Sequence, residues 1–296
     1  MNVLVVGATG FVGGGIARHL AGNGHRVTGL ARSADSARSL AAGVIPLPGD
    51  LDGGLAEVVA VAARSDAVVF AAQLAAAHEE HVVAELLAPL AGRTFLFTSG
   101  SGVLLQRTAG GWSEDSFAED DPFTVEPLAA RRLAVEEAVR AAADRVRAMV
   151  VRPGLVWGPG DHGHVSKVYR SVAVTGAACY VGEGLNTYSN VHVDDVAALV
   201  SLALTNGSPG ALYHAVAGET PGWWIAQAVA EDLGRPTRGL SPDEAVTVWG
   251  EFDALILSAS SRIRAPRARG ELGWRPEHTD MLTTVGDPRL RIMATA

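Results

Sequence analysis

The first 33 residues, MNVLVVGATGFVGGGIARHLAGNGHRVTGLARS (Met1 to Ser33), decide the fold. They open on an apolar run, Val3-Leu4-Val5-Val6, too short for a membrane span and right for a strand buried on both faces. Gly7-Ala8-Thr9-Gly10-Phe11-Val12-Gly13 follows, then Ile16, Ala17 and Leu20 at helical spacing, then a second apolar strand from Val27 to Leu30. Strand, glycine turn, helix, strand is the context that gives a glycine motif meaning. The spacing is G-x-x-G-x-x-G. Gly7 permits a tight turn, Gly10 lets the backbone approach a pyrophosphate, and Gly13 lets the helix pack on the strand; free N–H groups at the helix start then face the anion. The stretch predicts a dinucleotide site formed by Gly7, Thr9, Gly10, Phe11, Val12 and Gly13. The competing reading is a plain strand–turn–helix with spare glycines.

The second strand ends at Leu30-Ala31-Arg32-Ser33. An acid at this point holds a ribose 2′-hydroxyl, whereas a basic residue suits a 2′-phosphate. Arg32 with Ser33 therefore predicts NADP(H) rather than NAD(H). The alternative makes Arg32 a solvated loop charge and gives the acid's work to Asp35.

The chain has 296 residues, 48% hydrophobic and 19% charged, which reads as globular with a real core. A formal net charge of −8 argues against nucleic acid as a partner. The single cysteine, Cys179, excludes a disulfide framework, fits a reducing cytoplasm and is read as packing. No run of eighteen apolar residues exists and the chain opens on a strand, so neither a membrane span nor a signal peptide is expected.

Further strands are expected at Val44–Leu47, Ala67–Ala72, Thr94–Phe97 and Val146–Val151, with helices between them. Such alternation means a doubly wound parallel α/β sheet, which binds ligands at the carboxyl ends of its strands. Gly7 to Gly13, Arg32, Asp50 with Leu51, Ala71-Ala72 and Ser99/Ser101 all fall at such ends and predict one site. The small Ala71 and Ala72 leave room for a ribose and a nicotinamide. Asp50 reads equally as an adenine-end contact or as a loop acid. Leu104 to Glu126 is acidic and is expected to be a mobile loop near the site. Beyond Arg152-Pro153 the elements shorten, consistent with a smaller lobe. There, Asp194 or Asp195 is expected to cap a helix starting near Val196. A metal at His192, Asp194 and Asp195 has no further support, and none is expected.

The motifs Gly7–Gly13, Thr98-Ser99-Gly100, Arg152-Pro153-Gly154-Leu155-Val156-Trp157-Gly158-Pro159-Gly160, Val191-His192-Val193-Asp194-Asp195-Val196-Ala197 and Leu272-Gly273-Trp274 together resemble the short-chain dehydrogenase/reductase superfamily, in its extended, epimerase/dehydratase-like branch. The resemblance covers most of the chain. It implies a Rossmann domain over residues 1–157 that carries the cofactor. It also implies a substrate lobe over residues 158–296, partly interleaved with that domain. Pro153 joins the expected cofactor contacts. A homodimer through Rossmann helices is compatible with the resemblance.

The resemblance fails at one motif. This branch carries Tyr-x-x-x-Lys on the helix after the fifth strand; the Tyr moves the proton, and the Lys lowers its pKa and holds the nicotinamide ribose. Here Leu128 aligns with the Tyr and Arg132 with the Lys. Arg132 can hydrogen-bond a ribose but stays protonated. Ser101, and then Ser99, sit where the family places its catalytic Ser/Thr and are expected to hold the acceptor oxygen. Tyr188, His192, His162 and His164 are the side chains considered for the missing proton. The segment after Arg152-Pro153 lacks the Asn of the sugar-nucleotide enzymes. Trp157, Trp223, Trp224 and Trp249 instead lean toward an apolar or aromatic small-molecule substrate. Three functions are compatible with these residues: an NADP-dependent reductase, a redox-neutral enzyme (dehydratase, isomerase or cyclase) with structural NADP, and a dinucleotide sensor that binds a protein partner.

Overall fold

The computed structural model describes residues 1–161 and 163–295. The chain begins β1 (Asn2–Val6), α1 (Phe11–Gly22), β2 (Arg26–Ala31), α2 (Ala34–Arg38), β3 (Val44–Pro48), α3 (Leu55–Ala62), β4 (Ala67–Phe70), α4 (Ala76–Leu87), β5 (Thr94–Thr98), α5 (Ala130–Ala141) and β6 (Arg147–Pro153). It continues β7 (Leu155–Trp157), α6 (His164–Thr175), β8 (Ala178–Val181), β9 (Thr187–His192), α7 (Val193–Asn206), β10 (Leu212–Ala215), β11 (Gly218–Pro221), α8 (Gly222–Leu233), β12 (Thr237–Leu240), α9 (Pro242–Trp249), α10 (Glu251–Ser258), α11 (Pro266–Glu271) and α12 (Pro288–Met293).

Seven strands form one parallel sheet in the order β10-β6-β5-β4-β1-β2-β3. The apolar runs explain it. Val3 and Val5 enter one core with Val69, Leu96 and Val151, while Leu4 and Val6 enter another with Val68, Phe70, Phe95 and Phe97. Successive side chains of a strand point to opposite faces, so a strand with helices on both sides needs apolar residues at every position. Helix α1 covers one face together with α7, and α4 and α5 cover the other. Helix α1 meets α7 closely: a Cβ on Gly15 would stand 2.5 Å from Val193 Cγ2.

Pro153 has no N–H to donate, and β6 ends there even though it lies inside the sheet. The chain then alternates between two regions. Strands β7, β9 and β11 form a separate sheet, and β8 pairs with β12. Strand β10 returns to the edge of the large sheet beside β6. A smaller core under α6 and α8 contains Trp157, Tyr169, Ile225 and Met281. Cys179 is buried in a further small cluster.

Two local expectations are corrected. His192, and neither aspartate, caps α7: its Nδ1 accepts from the Asp194 N–H at 3.2 Å. Asp194 pairs with Arg18 instead, and Asp195 accepts the N–H groups of Glu277 and His278, each at 2.9 Å. The acidic Leu104–Glu126 segment is held in place. Gln106 and Ser260 exchange backbone hydrogen bonds, and Phe117 bridges Arg262 and Arg264. Buried Glu119 accepts from the N–H groups of His214, Arg267 and Ala268.

His164 and His214 are both buried, and burial pushes each imidazole down to about 4. Each is therefore neutral in the fold, while an unfolded histidine gains its proton near 6.5. Their contribution to stability is complete above pH 6.5 and is lost as pH falls toward 4. The melting temperature should fall over that window, and fall less in His214→Gln, which has no proton to gain. An equal fall in the variant would assign the effect to other groups.

Candidate functional site

The turn between β1 and α1 is where two backbones meet. Gly7 has φ +95°, and a Cβ there would lie 2.6 Å from the Ala71 carbonyl at the end of β4. A Cβ on Gly13 would overlap the Gly7 carbonyl oxygen. Both positions therefore require glycine. Gly10 precedes α1 with no side chain capping the helix, so its first N–H groups remain available to an anion. These groups border a cavity of about 450 Å³ lined by Gly7, Thr9, Gly10, Phe11, Val12, Leu30, Arg32, Leu51, Ala71 and Ala72, among others.

Most of the predicted cofactor residues thus converge, and the remainder have definite places. Gly13 packs under the turn. Ser33 caps α2, accepting from Ser36 N–H at 3.1 Å. Asp50 holds its own loop: Oδ1 accepts from Gly53 N at 2.7 Å, Asp52 N at 3.0 Å and Gly54 N at 3.2 Å. Those amides keep its carboxyl below the ordinary carboxylate range. Arg32 is exposed on the cavity wall and makes no hydrogen bond or ion pair among the described residues, whereas Asp35 is paired with Arg38.

A second cavity of about 380 Å³ shares Val12, Ala71, Ala72, Gln73 and Val156 with the first. Its polar floor is Thr98, Ser99, Ser101 and Arg132; Pro153, Leu155, Tyr188, Phe252 and Ile256 complete it. The hydroxyls of Thr98, Ser99 and Ser101 are buried; those of Thr98 and Ser99 have no hydrogen-bond partner, and that of Ser101 faces the Tyr188 phenol. Arg132 stacks over Phe97 at 5.3 Å and pairs with Glu79 of α4 at 3.2 Å. Burial pushes the Glu79 carboxyl up, against the pull of Arg132. Helix α5 is locked to β6 by a buried ion pair, Arg152 Nε to Glu136 Oε1 and Oε2 at 3.0 and 2.8 Å. Removing one partner of such a pair costs about 3–5 kcal/mol, so the Arg132 position is firmly built. Leu128 is 50% exposed and outside the lining.

Of the side chains considered for the proton, Tyr188 lines this cavity. His164 is buried outside the lining. His192 lines a different cavity with Trp157 and His278. His162 lies outside the described residues. None of the four tryptophans lines the second cavity. Trp157 is buried and donates to Asn190 Oδ1 at 3.1 Å, and Trp249 donates to the Lys167 carbonyl at 3.0 Å. The apolar wall comes from Phe252 and Ile256 of α10, about which no sequence motif speaks. Glu79 was equally silent, as one acid on an amphipathic helix.

Residues 3–216 match the model of the NAD-dependent epimerase/dehydratase family. The chain belongs to that family. An uncharacterized protein of Schizosaccharomyces pombe is 32% identical over 96% of this chain and 97% of its own length. A 2-alkyl-3-oxoalkanoate reductase of Stenotrophomonas maltophilia is 32% identical over 71% of this chain and 67% of its own. Among solved structures, a human epimerase family protein with NADPH shares the fold at a TM-score of 0.69, with 22% identity and 99% of both chains covered. A Bacillus anthracis dTDP-glucose 4,6-dehydratase in complex with NAD does so at 0.70, with 16% identity over 99% and 95%. The fold is thus the NAD(P)-binding fold of the epimerase/dehydratase family, and the glycine cradle suits a nicotinamide dinucleotide. No helix among the described residues is long and apolar enough to cross a membrane.

Gly13→Ala tests the cradle. The added methyl has only backbone to displace, so the protein should lose about 2 kcal/mol or more in urea unfolding, along with its dinucleotide binding. Unchanged stability would mean that the helix does not rest on the turn.

Proposed function

We propose that this protein is an NADP-dependent reductase acting on a carbonyl or an activated double bond of a small, fairly apolar molecule. The observation that carries the proposal is the second cavity, with partnerless hydroxyls on one side and apolar side chains on the other. A buried hydroxyl without a partner costs about 1–3 kcal/mol. Two in one place, Thr98 and Ser99, favour a ligand that brings an oxygen to them. Among the described residues the lining has one fixed cation, Arg132, already paired with Glu79, and so favours an uncharged substrate over a nucleotide sugar. The name of the Stenotrophomonas relative supports a ketone acceptor.

The residues suit the cofactor as follows. The glycine turn and the start of α1 hold the pyrophosphate, Arg32 the 2′-phosphate, and Arg132 the nicotinamide ribose. When bound, the reduced cofactor supplies hydride. Ser101 and Ser99 donate hydrogen bonds to the acceptor oxygen and stabilise the charge that grows there. Leu155, Val156, Phe252 and Ile256 offer the substrate an apolar surface.

The residue aligned with the family's tyrosine, Leu128, favours a second reading, in which the enzyme is redox-neutral and the dinucleotide is structural. A panel of apolar ketones and enones separates the two. The first reading predicts loss of NADPH absorbance with at least one compound; product without any change in absorbance would establish the second. Arg32→Ala should weaken NADPH by roughly 10- to 100-fold, the range of a charge-assisted hydrogen bond, while NADH changes about twofold or less. Equal weakening of both would remove the phosphate assignment.

A further inference from the structure

A reduction needs a proton as well as a hydride. Among the described residues that line the second cavity, only Arg132 and Tyr188 carry side chains that titrate. Arginine stays protonated, and this one is held by Glu79. The histidines do not serve. His164 is neutral, since burial holds it near 4, and it lies outside the lining. The His192 Nδ1 caps α7, and its ring lies between Trp157 and His278, with centroids 4.7 and 4.1 Å away.

Tyr188 stands on β9 and is 7% exposed. Its ring meets His164 edge-on, with centroids 5.5 Å apart and planes at 75°, which sets its direction. Its hydroxyl lies over Gly102: a Cβ there would be 3.5 Å from the phenol oxygen. The phenol therefore reaches across the cavity from the lobe to the turn that carries Ser99 and Ser101. The hydroxyls of Ser261 and Ser101 flank it, and both pull its pKa down; burial outweighs them and lifts it to about 12. Ser261 spends its own proton on the Ser101 carbonyl, at 2.7 Å. The Ser101 hydroxyl has no partner besides this phenol, so it can turn from it toward a ligand.

We propose that Tyr188 is the catalytic proton donor of this site, delivering its phenolic proton to the acceptor oxygen held by Ser101 and Ser99. The assignment rests on the reductase reading above. In the step, hydride from a reduced nicotinamide adds to the acceptor carbon and the C=O electron pair moves onto oxygen. The Tyr188 O–H bond breaks, an O–H bond forms on that oxygen, and the phenolate left behind is refilled by a proton from water. An alkoxide is a stronger base than a phenolate, so the transfer runs downhill. A donor this far above neutral pH is well off the optimum for general-acid catalysis, which places its effect near the lower end of the usual range, about 100-fold.

Tyr188→Phe keeps the ring and its edge on His164. The test measures NADPH affinity and kcat for two apolar ketones, an alkyl phenyl ketone and its trifluoromethyl analogue. The alkoxide of the analogue is a much weaker base and has less need of a proton. NADPH affinity should stay within about twofold, kcat for the plain ketone should fall about 100-fold, and kcat for the trifluoromethyl ketone should fall far less. A structural role would slow both ketones alike, and that result, or no loss at all, would overturn the assignment while leaving the reductase reading intact. If the wild-type protein consumes NADPH with no ketone, the assignment of Tyr188 to a carbonyl oxygen falls; if it consumes none with enones either, the reductase reading itself falls with it.

Discussion

The backbone of α1 rests directly on the turn that precedes it, and the rest of the site depends on that contact. Side chains at Gly7 and Gly13 would push β1, β4 and α1 apart. With glycine at both positions, the helix start, the end of β4 and the Arg32 loop surround one space. The same approach brings α1 against α7, whose first residues follow β9 and therefore Tyr188. Two close contacts, Gly13 on the Gly7 carbonyl and Gly15 on the Val193 side chain, thus connect the nucleotide cradle to the strand that closes the second cavity.

The polar part of that cavity is held from the other side of the sheet. Arg152 and Glu136 join β6 to α5 in a fully buried pair. Glu79 and Arg132 join α4 to α5 in a partly buried one. Charges placed this way stabilise little on balance, because the loss of water offsets most of their attraction. Their effect is on position. Arg132 remains at the cavity floor because Glu79, Phe97 and α5 hold its guanidinium there.

The parallel sheet was legible because buried strands need apolar residues at every position, and those runs are local in the sequence. The glycine motif, the Arg32 strand end and the small residues after β4 were legible for the same reason: each follows a strand directly. Asp50 and Ser33 were legible as residues of the turn but not in their direction, since nearby backbone amides compete for their oxygens. His192 as the cap of α7 was missed because an imidazole nitrogen seldom takes that place. Phe252, Ile256 and Glu79 were out of reach because their neighbours lie far away in the chain. The tryptophans were ambiguous for a simpler reason: a large ring fills a core as readily as it meets a ligand, and Trp157 is a core residue.

The central claim is that the cradle at Gly7–Gly13 and Arg32 holds a phosphorylated nicotinamide dinucleotide. The most direct measurement follows nicotinamide fluorescence as purified wild-type protein, checked for cofactor carried through purification, is titrated with NADPH and with NADH. Saturable binding of NADPH, clearly tighter than that of NADH, is the predicted result. Absence of binding for both dinucleotides would contradict it.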